Sequence, residues 1–398
     1  MLRTEDDLDA ALAQVLPVLR GRAAAIDQAG RYPRENIELL HAVGLMALPI
    51  PIALGGFGIG STRPFGLQSR IQQAIAAACS NTGQIFGAHS SALTTLRLIG
   101  SADQLRHFAR LVIEERASFC TVASEPGEQF TADGKRSPLR STVHRAEGGW
   151  RVDAHKSFAT GSLGCRFALV TCAAQGQPGP ENIVTVVVPA DHPAVTIHDS
   201  WDNMGQRATT SGLLDVVGCV LPDGMVIGAP GAARGVPVFA AIFQLGVASN
   251  LMGIAQGALD FAVAYLKEKR RPTLGFARAI DEPDWQRHVG DIATDIAAGQ
   301  ALVRHGFDLL DAGPPDEAAV SQLLVAVYQA RIAASRISVD ASSRIFELCG
   351  ARATSRCENA DRFWRNARTL SLHDNADKQR GIIGRHILGV ESPRIASR

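Results

Sequence analysis

No C-x-x-C pair occurs among the seven cysteines, which stand at Cys79, Cys120, Cys165, Cys172, Cys219, Cys349 and Cys357. Odd in number and scattered, they give no reason to expect a disulfide framework or a zinc site, and they suit a reducing cytoplasm. An excess of charge is missing too: 40 Lys and Arg face 39 Asp and Glu, for a formal net charge of +1. That balance offers nothing to draw nucleic acid or an anionic membrane as partner. H-E-x-x-H, G-x-S-x-G and the Walker lysine loop are absent, so zinc-peptidase, serine-hydrolase and P-loop chemistry lack their motifs. The eleven histidines are spread along the chain and give metal ligation no positive support. No internal repeat or low-complexity tract is visible. The opening MLRTEDDLDA carries acids where a secretory signal would carry only basic residues, so no signal peptide is expected.

One long run lacks charge altogether, from Gly235 to Leu259, with Asp260 directly after it. Gln244, Ser249, Asn250 and Gln256 interrupt it, so a buried core or subunit-interface helix is expected rather than a membrane span.

What is present is ample apolar material: 398 residues, 46% hydrophobic, enough for two or three domains. Helical spacing runs from Asp6 to Asp27, Arg34 to Val43, Pro64 to Cys79, Ser90 to Ile99 and Ala102 to Glu115. Near Ala117 the texture changes to short β-branched runs. These are Phe119 to Val122, Trp150 to Ala154, Phe167 to Cys172, Ile183 to Val188, Val195 to His198 and Gly212 to Val220. A small barrel or sandwich is expected there. Long helical patterns then return: Gly235 to Lys269, Trp285 to Leu310, Asp316 to Leu348, Asn359 to Leu372 and Asn375 to Leu388. Their connectors, Gly313-Pro314-Pro315 among them, are short, as in a bundle.

Gly55 to Gly60 holds four glycines, but Ser61 stands where G-x-G-x-x-G needs its last glycine, and a tight inter-helix turn is the expectation. No nicotinamide-binding fingerprint occurs elsewhere. Two segments, Thr121 to Gly127 and His155 to Ser162, end strands with small hydroxyl residues and glycine. Such ends can offer hydroxyls and backbone N–H groups to a flat heterocycle, although each is also an ordinary turn. A third segment, Asp361 to Asp374, interleaves arginines with aromatics and closes on His373-Asp374. It reads as an amphipathic helix with capping charges, or as a helix that delivers a proton-carrying histidine.

Taken in order, these segments resemble the acyl-CoA dehydrogenase superfamily over roughly residues 10 to 390. Ala123 to Gly127 looks like its TEPG segment, and Lys156 to Thr160 like K-x-W-I-T. Met204 to Arg207 looks like MGxR, Cys349 to Ala353 sits where GGxG belongs, and Asp374 to Arg380 parallels EGTxxIQR. Lys269 to Thr273 departs from R-x-x-F-G, the double glycine is missing, and Asp374 with His373 beside it replaces a glutamate. Those departures resemble the flavin-dependent monooxygenase branch, of the dibenzothiophene monooxygenase and 4-hydroxyphenylacetate hydroxylase oxygenase type.

The resemblance implies an α+β fold: an N-terminal helical domain (1–116), a middle β-barrel domain (117–230) and a C-terminal four-helix bundle (231–398), assembled as a homotetramer. It implies reduced FMN from a separate flavin reductase, O2, C4a-peroxyflavin chemistry and a small, aromatic or heteroatom-bearing substrate. His373 would carry the proton, with His89 a second candidate. Val122, Ser124, Phe158, Thr160, Gly161 and Ser162 would hold the flavin ring. Arg271 would meet the FMN phosphate, and Ala351 and Arg352 a neighbouring subunit's flavin. The alternative is an FAD dehydrogenase or nitroalkane-oxidase-like enzyme with Asp374 as the proton-abstracting base. A flavin-free helical interaction protein is the non-enzymatic alternative.

Overall fold

The structure, a computed structural model, describes residues 2–127, 138–175, 182–236, 238–314 and 316–393. Pro237, in the helix expected from Gly235, and Pro315, in the expected connector, lie outside them.

Five helices come first: α1 (Glu5–Ala29), α2 (Arg34–Ala42), α3 (Gly66–Ala78), α4 (Ser80–Ile99) and α5 (Ala102–Glu115). Capping boxes start two of them. The Thr4 hydroxyl accepts the Asp7 N–H while the Asp7 carboxylate accepts the Thr4 N–H, and Ser101 with Gln104 repeats the arrangement on α5. α4 begins ten residues before the expected Ser90, because the polar run Ser80-Asn81-Thr82 reads as a breaker yet is buried and fully used. Ser80 accepts from Asn366, Asn81 accepts the Ala208 N–H, and Thr82 accepts from Asn36 at 2.9 Å. Tertiary partners thus override the local preference of these residues for turns.

The middle region holds β1 (Phe119–Val122), β2 (Thr142–Ala146), β3 (Gly149–Lys156), β4 (Phe167–Ala174), β5 (Ile183–Pro189), β6 (Val195–Ile197), β7 (Leu214–Leu221) and β8 (Val226–Ile227). They form one mixed sheet in the order β6-β7-β3-β2-β4-β5-β8, with β1 parallel to β4. Among the described residues this pairing is a path with two ends, and it does not itself close the expected barrel. One face buries Val143, Val152, Cys172, Val186 and Val216 together. The other packs on α4 and α5, where Phe108, Phe119 and Phe167 sit with ring centroids 5.3 to 5.7 Å apart.

The C-terminal region is α6 (Phe239–Glu268), α7 (Pro283–Ala312), α8 (Glu317–Cys349), α9 (Asp361–Ser371) and α10 (Ala376–Ile387). Three long helices, α6 to α8, pack on one another, α9 crosses α6 and α8, and α10 rests on α8. α9 and α10 fall within the expected stretches Asn359 to Leu372 and Asn375 to Leu388, and they add two short helices to the three long ones. α6 is long and apolar enough to cross a membrane, yet 61% of its most apolar window is buried inside the fold. It packs against α3, α7 and α8. Gly253 and Gly257 make the α3 contact possible, since a side chain at either would run into the Gln73 or Ala77 carbonyl.

Candidate active site

A cavity of about 250 Å³ lies where the three regions meet, between α3, α4, α6 and the ends of β1, β3, β4 and β5. Alternation along the strands decides which residues reach it. On β1, Thr121 lines the cavity and Val122 faces the sheet core. On β4 and β5, Leu169 and Thr171 with Ile183 and Thr185 do the same, and Thr171 stands directly opposite Thr185 in the ladder.

Two strand ends are clamped together beside this wall. Lys156, the last residue of β3, is fully buried and donates to Glu125 at 2.9 Å and to the Ala123 carbonyl at 3.3 Å. Glu125 also accepts the backbone N–H groups of Arg140 and Ser141, both at 2.9 Å. Burial alone would raise this carboxyl, but hydrogen bonds from Ser141, Arg140 and Lys156 outweigh it and hold its pKa down at about 2. The Ser157 N–H then donates to the Ser124 carbonyl at 3.0 Å. The charged pair therefore fixes Ser124, Ser157 and Phe158 as one rigid rim.

Of the residues expected at the flavin, Ser124, Phe158 and Thr160 line the cavity. Phe158 has a left-handed backbone (φ 58) and is 60% exposed, its ring 6.0 Å from Trp201. An exposed aromatic held in that conformation is strained, and it stands at the rim where a flat ring could lie. Val122, Gly161 and Ser162 do not line the cavity. The Gly161 N–H is used by the Thr209 carbonyl, and the buried Ser162 hydroxyl donates to the Thr210 carbonyl. Arg271, Ala351 and Arg352 are exposed and also outside the cavity wall. Their two loops meet, because Arg270 Nη1 donates to the Cys349 carbonyl at 3.2 Å.

His89 is not a cavity residue either. It is buried, its Nε2 lies 2.8 Å from the Met46 carbonyl, and its Nδ1 accepts the Phe119 N–H at 3.1 Å. An N–H donor on Nδ1 requires that nitrogen to be bare, so the ring is neutral with its proton on Nε2. Burial, with His41 nearby, depresses its pKa to about 3. Both nitrogens are engaged by backbone, so the proton-carrying role expected for it is unsupported.

His373 does line the cavity, its ring 5.3 Å from that of Phe243. Asp374 stands behind the wall. Its carboxylate accepts from Gln244 Nε2 at 2.8 Å and Gln379 Nε2 at 3.0 Å, while Oδ1 accepts the Asn375 N–H at 2.8 Å. Occupied by amides and absent from the cavity lining, Asp374 lacks the position that the proton-abstraction alternative requires. Arg331, buried close by, has its pKa lowered to about 10 by burial, with Asp374 opposing the shift.

The arginine-rich helix proves to be a clamp as well. Arg365 pairs with Asp27 of α1 and donates to the Met204 carbonyl at 2.9 Å, and Asn366 accepts the Gln206 N–H at 2.5 Å. Gly205 lies so close to the Arg365 carbonyl that no side chain fits between them. Met204 to Arg207 and α9, read separately in the sequence, are two halves of one contact. Sequence reasoning missed the glutamines Gln68, Gln72, Gln84 and Gln244, which also line the cavity. Thr171 and Thr185 left a signal, a lone hydroxyl inside each apolar strand, and so did Gln244 as a polar break in the charge-free run; Gln68, Gln72 and Gln84 left none.

Comparison with known proteins gives this arrangement its relatives. Models of the acyl-CoA dehydrogenase N-terminal, middle and C-terminal domains match residues 9–115, 120–217 and 245–378. The dibenzothiophene monooxygenase of Rhodococcus erythropolis is 31% identical over 97% of this chain and 95% of its own. The probable FMNH2-dependent monooxygenase SfnC of Pseudomonas putida is 28% identical over 92% of this chain and 91% of its own. Among solved structures, the complex of TdsC from Paenibacillus sp. A11-2 with FMN and indole superposes with a TM-score of 0.89. Its identity is 26%, over 99% of this chain and all of that one. With three successive domain matches and a relative at 31% identity along nearly its whole length, the chain belongs to the acyl-CoA dehydrogenase family.

Proposed function

We propose that this chain is a reduced-flavin-dependent monooxygenase that uses FMN and O2 on a small organic substrate. The observation that carries the reading is the cavity, with a rim of Ser124, Ser157, Phe158 and Thr160 on the strand side and His373 on the helical side. The donor set fits a flavin: hydroxyls for the polar edge of the ring, an aromatic at its face, and no carboxylate among the described lining residues. When bound, reduced FMN would supply the electrons that put one atom of O2 into the substrate and release the other as water.

The chain's own residues do the rest. Phe243, Phe307 and Val247 keep water from the reacting centre, which limits wasteful loss of the activated oxygen as hydrogen peroxide. His373 holds or delivers the proton that the departing oxygen needs. Ser124 and Thr160 fix the ring; the Glu125–Lys156 pair holds Ser124, and the Ser211 hydroxyl, 3.0 Å away, holds Thr160. The loops carrying Arg271, Ala351 and Arg352 lie outside this chain's own cavity, which supports a homotetramer in which they serve a neighbouring subunit's FMN. Unpaired thiols support a cytoplasmic location, and a separate flavin reductase would deliver the reduced cofactor.

The test is stopped-flow mixing of protein and reduced FMN with oxygenated buffer, followed in the near ultraviolet. A transient absorbing species that outlives its counterpart in free solution is expected. Reoxidation at the rate of free FMN would overturn the proposal.

A further inference from the structure

Arg331, midway along α8, is 2% exposed and among the largest side chains that the fold encloses. A guanidinium keeps its charge when buried, and an apolar side chain of similar volume would fill the space at less cost in free energy. Packing is therefore a poor reason for an arginine here, and its contacts supply a better one. Nη1 donates to the Ser335 hydroxyl one turn along α8, and Nη2 donates to the Leu370 carbonyl of α9 at 3.1 Å. That same oxygen accepts the backbone N–H of His373, also at 3.1 Å. It lies in the last turn of α9, where carbonyls lack helical partners and a cation is favoured. One atom thus joins a buried cation to a residue on the cavity wall. On the other side of His373, the Asp374 carboxylate is held by Gln244 of α6 and Gln379 of α10. A turn that would otherwise fray at a helix end is tied on both flanks.

We infer that Arg331 is a positioning residue for His373: it fixes the turn that leaves α9, and so fixes where the imidazole stands in the cavity. Giving that position a role in oxygenation rests on the monooxygenase reading above. Arg331 is absent from the cavity lining, so it acts through the Leu370 carbonyl. His373 is an exposed residue, and its place depends on the backbone that carries it more than on close packing.

The test uses the full chain, with and without oxidised FMN. Hydrogen–deuterium exchange, read by mass spectrometry, follows the peptide from Leu370 to Gln379. Arg331→Met should speed exchange there by about tenfold or more and leave α4 and the sheet at wild-type rates. Arg331→Lys keeps the charge but not the two-pronged reach, and should speed it about threefold. Stopped-flow mixing with reduced FMN and oxygen then asks whether placement matters. Arg331→Met should shorten the transient absorbing species as His373→Ala does, and the two changes together should shorten it no further. Unchanged exchange in Arg331→Met, or faster exchange along the whole chain, would make the arginine ordinary core and overturn the inference. Shortenings that multiply in the double variant would overturn it too, because Arg331 would not be acting through His373. If Arg331→Met does not fold, Arg331→Lys decides on the same peptide, and wild-type exchange there sinks the idea. If the wild-type protein forms no transient species, the monooxygenase reading falls, while exchange still decides whether Arg331 holds the turn.

Discussion

Asp27 and Arg365 stand 338 residues apart in sequence and form a two-pronged ion pair, 2.6 Å and 3.2 Å between the two sets of atoms. Asp27 is 1% exposed, so the pair ties the first long helix to α9 in a region shielded from water. Removing Arg365 leaves the Asp27 charge buried, whereas removing Asp27 leaves the partly buried Arg365 a second carboxylate, Asp361, at 2.7 Å. Arg365→Ala should cost about 3–5 kcal/mol, and the double variant with Asp27→Ala should cost far less than the two losses summed. Chemical denaturation measures both; full additivity would show that the two residues act independently.

The Glu125–Lys156 clamp carries a pH signature. The folded pKa of Glu125, about 2, lies below its ordinary 4.5. Its contribution is therefore complete above pH 4.5 and is lost as the pH falls towards 2. Glu125→Gln should be less stable than the parent at neutral pH, with the gap narrowing through that acid window. A gap that stays constant down to pH 3 would remove Glu125 from the account.

His89 behaves in the opposite sense to a salt-bridged histidine. Its folded pKa, about 3, is below the ordinary 6.5, so between those values the unfolded chain binds a proton that the native state refuses. Stability should fall with pH below 6.5, by up to about 1.4 kcal/mol per pH unit from this residue. His89→Gln should flatten that slope without changing flavin affinity. Urea unfolding at stepped pH decides; an unchanged slope places the acid sensitivity elsewhere.

His373→Ala should retain FMN and lose productive oxygenation. Product should drop by about 100-fold, within the usual range for a lost acid or base, while hydrogen peroxide rises. Product and peroxide are assayed together, and normal coupling in the variant would clear His373 of a role.

Arg271→Ala should weaken FMN more than riboflavin, since only FMN carries a phosphate for the guanidinium. Equal weakening of the two ligands would discard the phosphate assignment, and with it the main support for a shared site between subunits.

Helices with strong periodicity were legible in the sequence to within a few residues, as α5 shows. Phe119 to Val122 was legible too, because β-branched and aromatic residues crowd into four positions. β2 was missed: Thr142 to Ala146 has only Val143 and Ala146 as apolar residues and owes its place to pairing with β3 and β4. At the site, strand ends could be found by composition, but choosing Thr121 over Val122 required knowing which face of the sheet met α4. Gln68 was invisible and Gln244 showed only as a polar break in an apolar run, because each belongs to a helix whose partner lies far along the chain. His89 was misjudged because a histidine bridging two backbone groups and a catalytic one look alike until the partners are known.

The cavity wall runs from Ile59 to His373, so its last piece comes from near the end of the described chain. On the ribosome the helical start and the sheet can fold well before α9 emerges, yet the rim at Phe158 must wait for its opposite wall. A truncation that removes only the tail after α8 therefore leaves most of the protein's mass in place and an open, wet groove where the enclosed site should be.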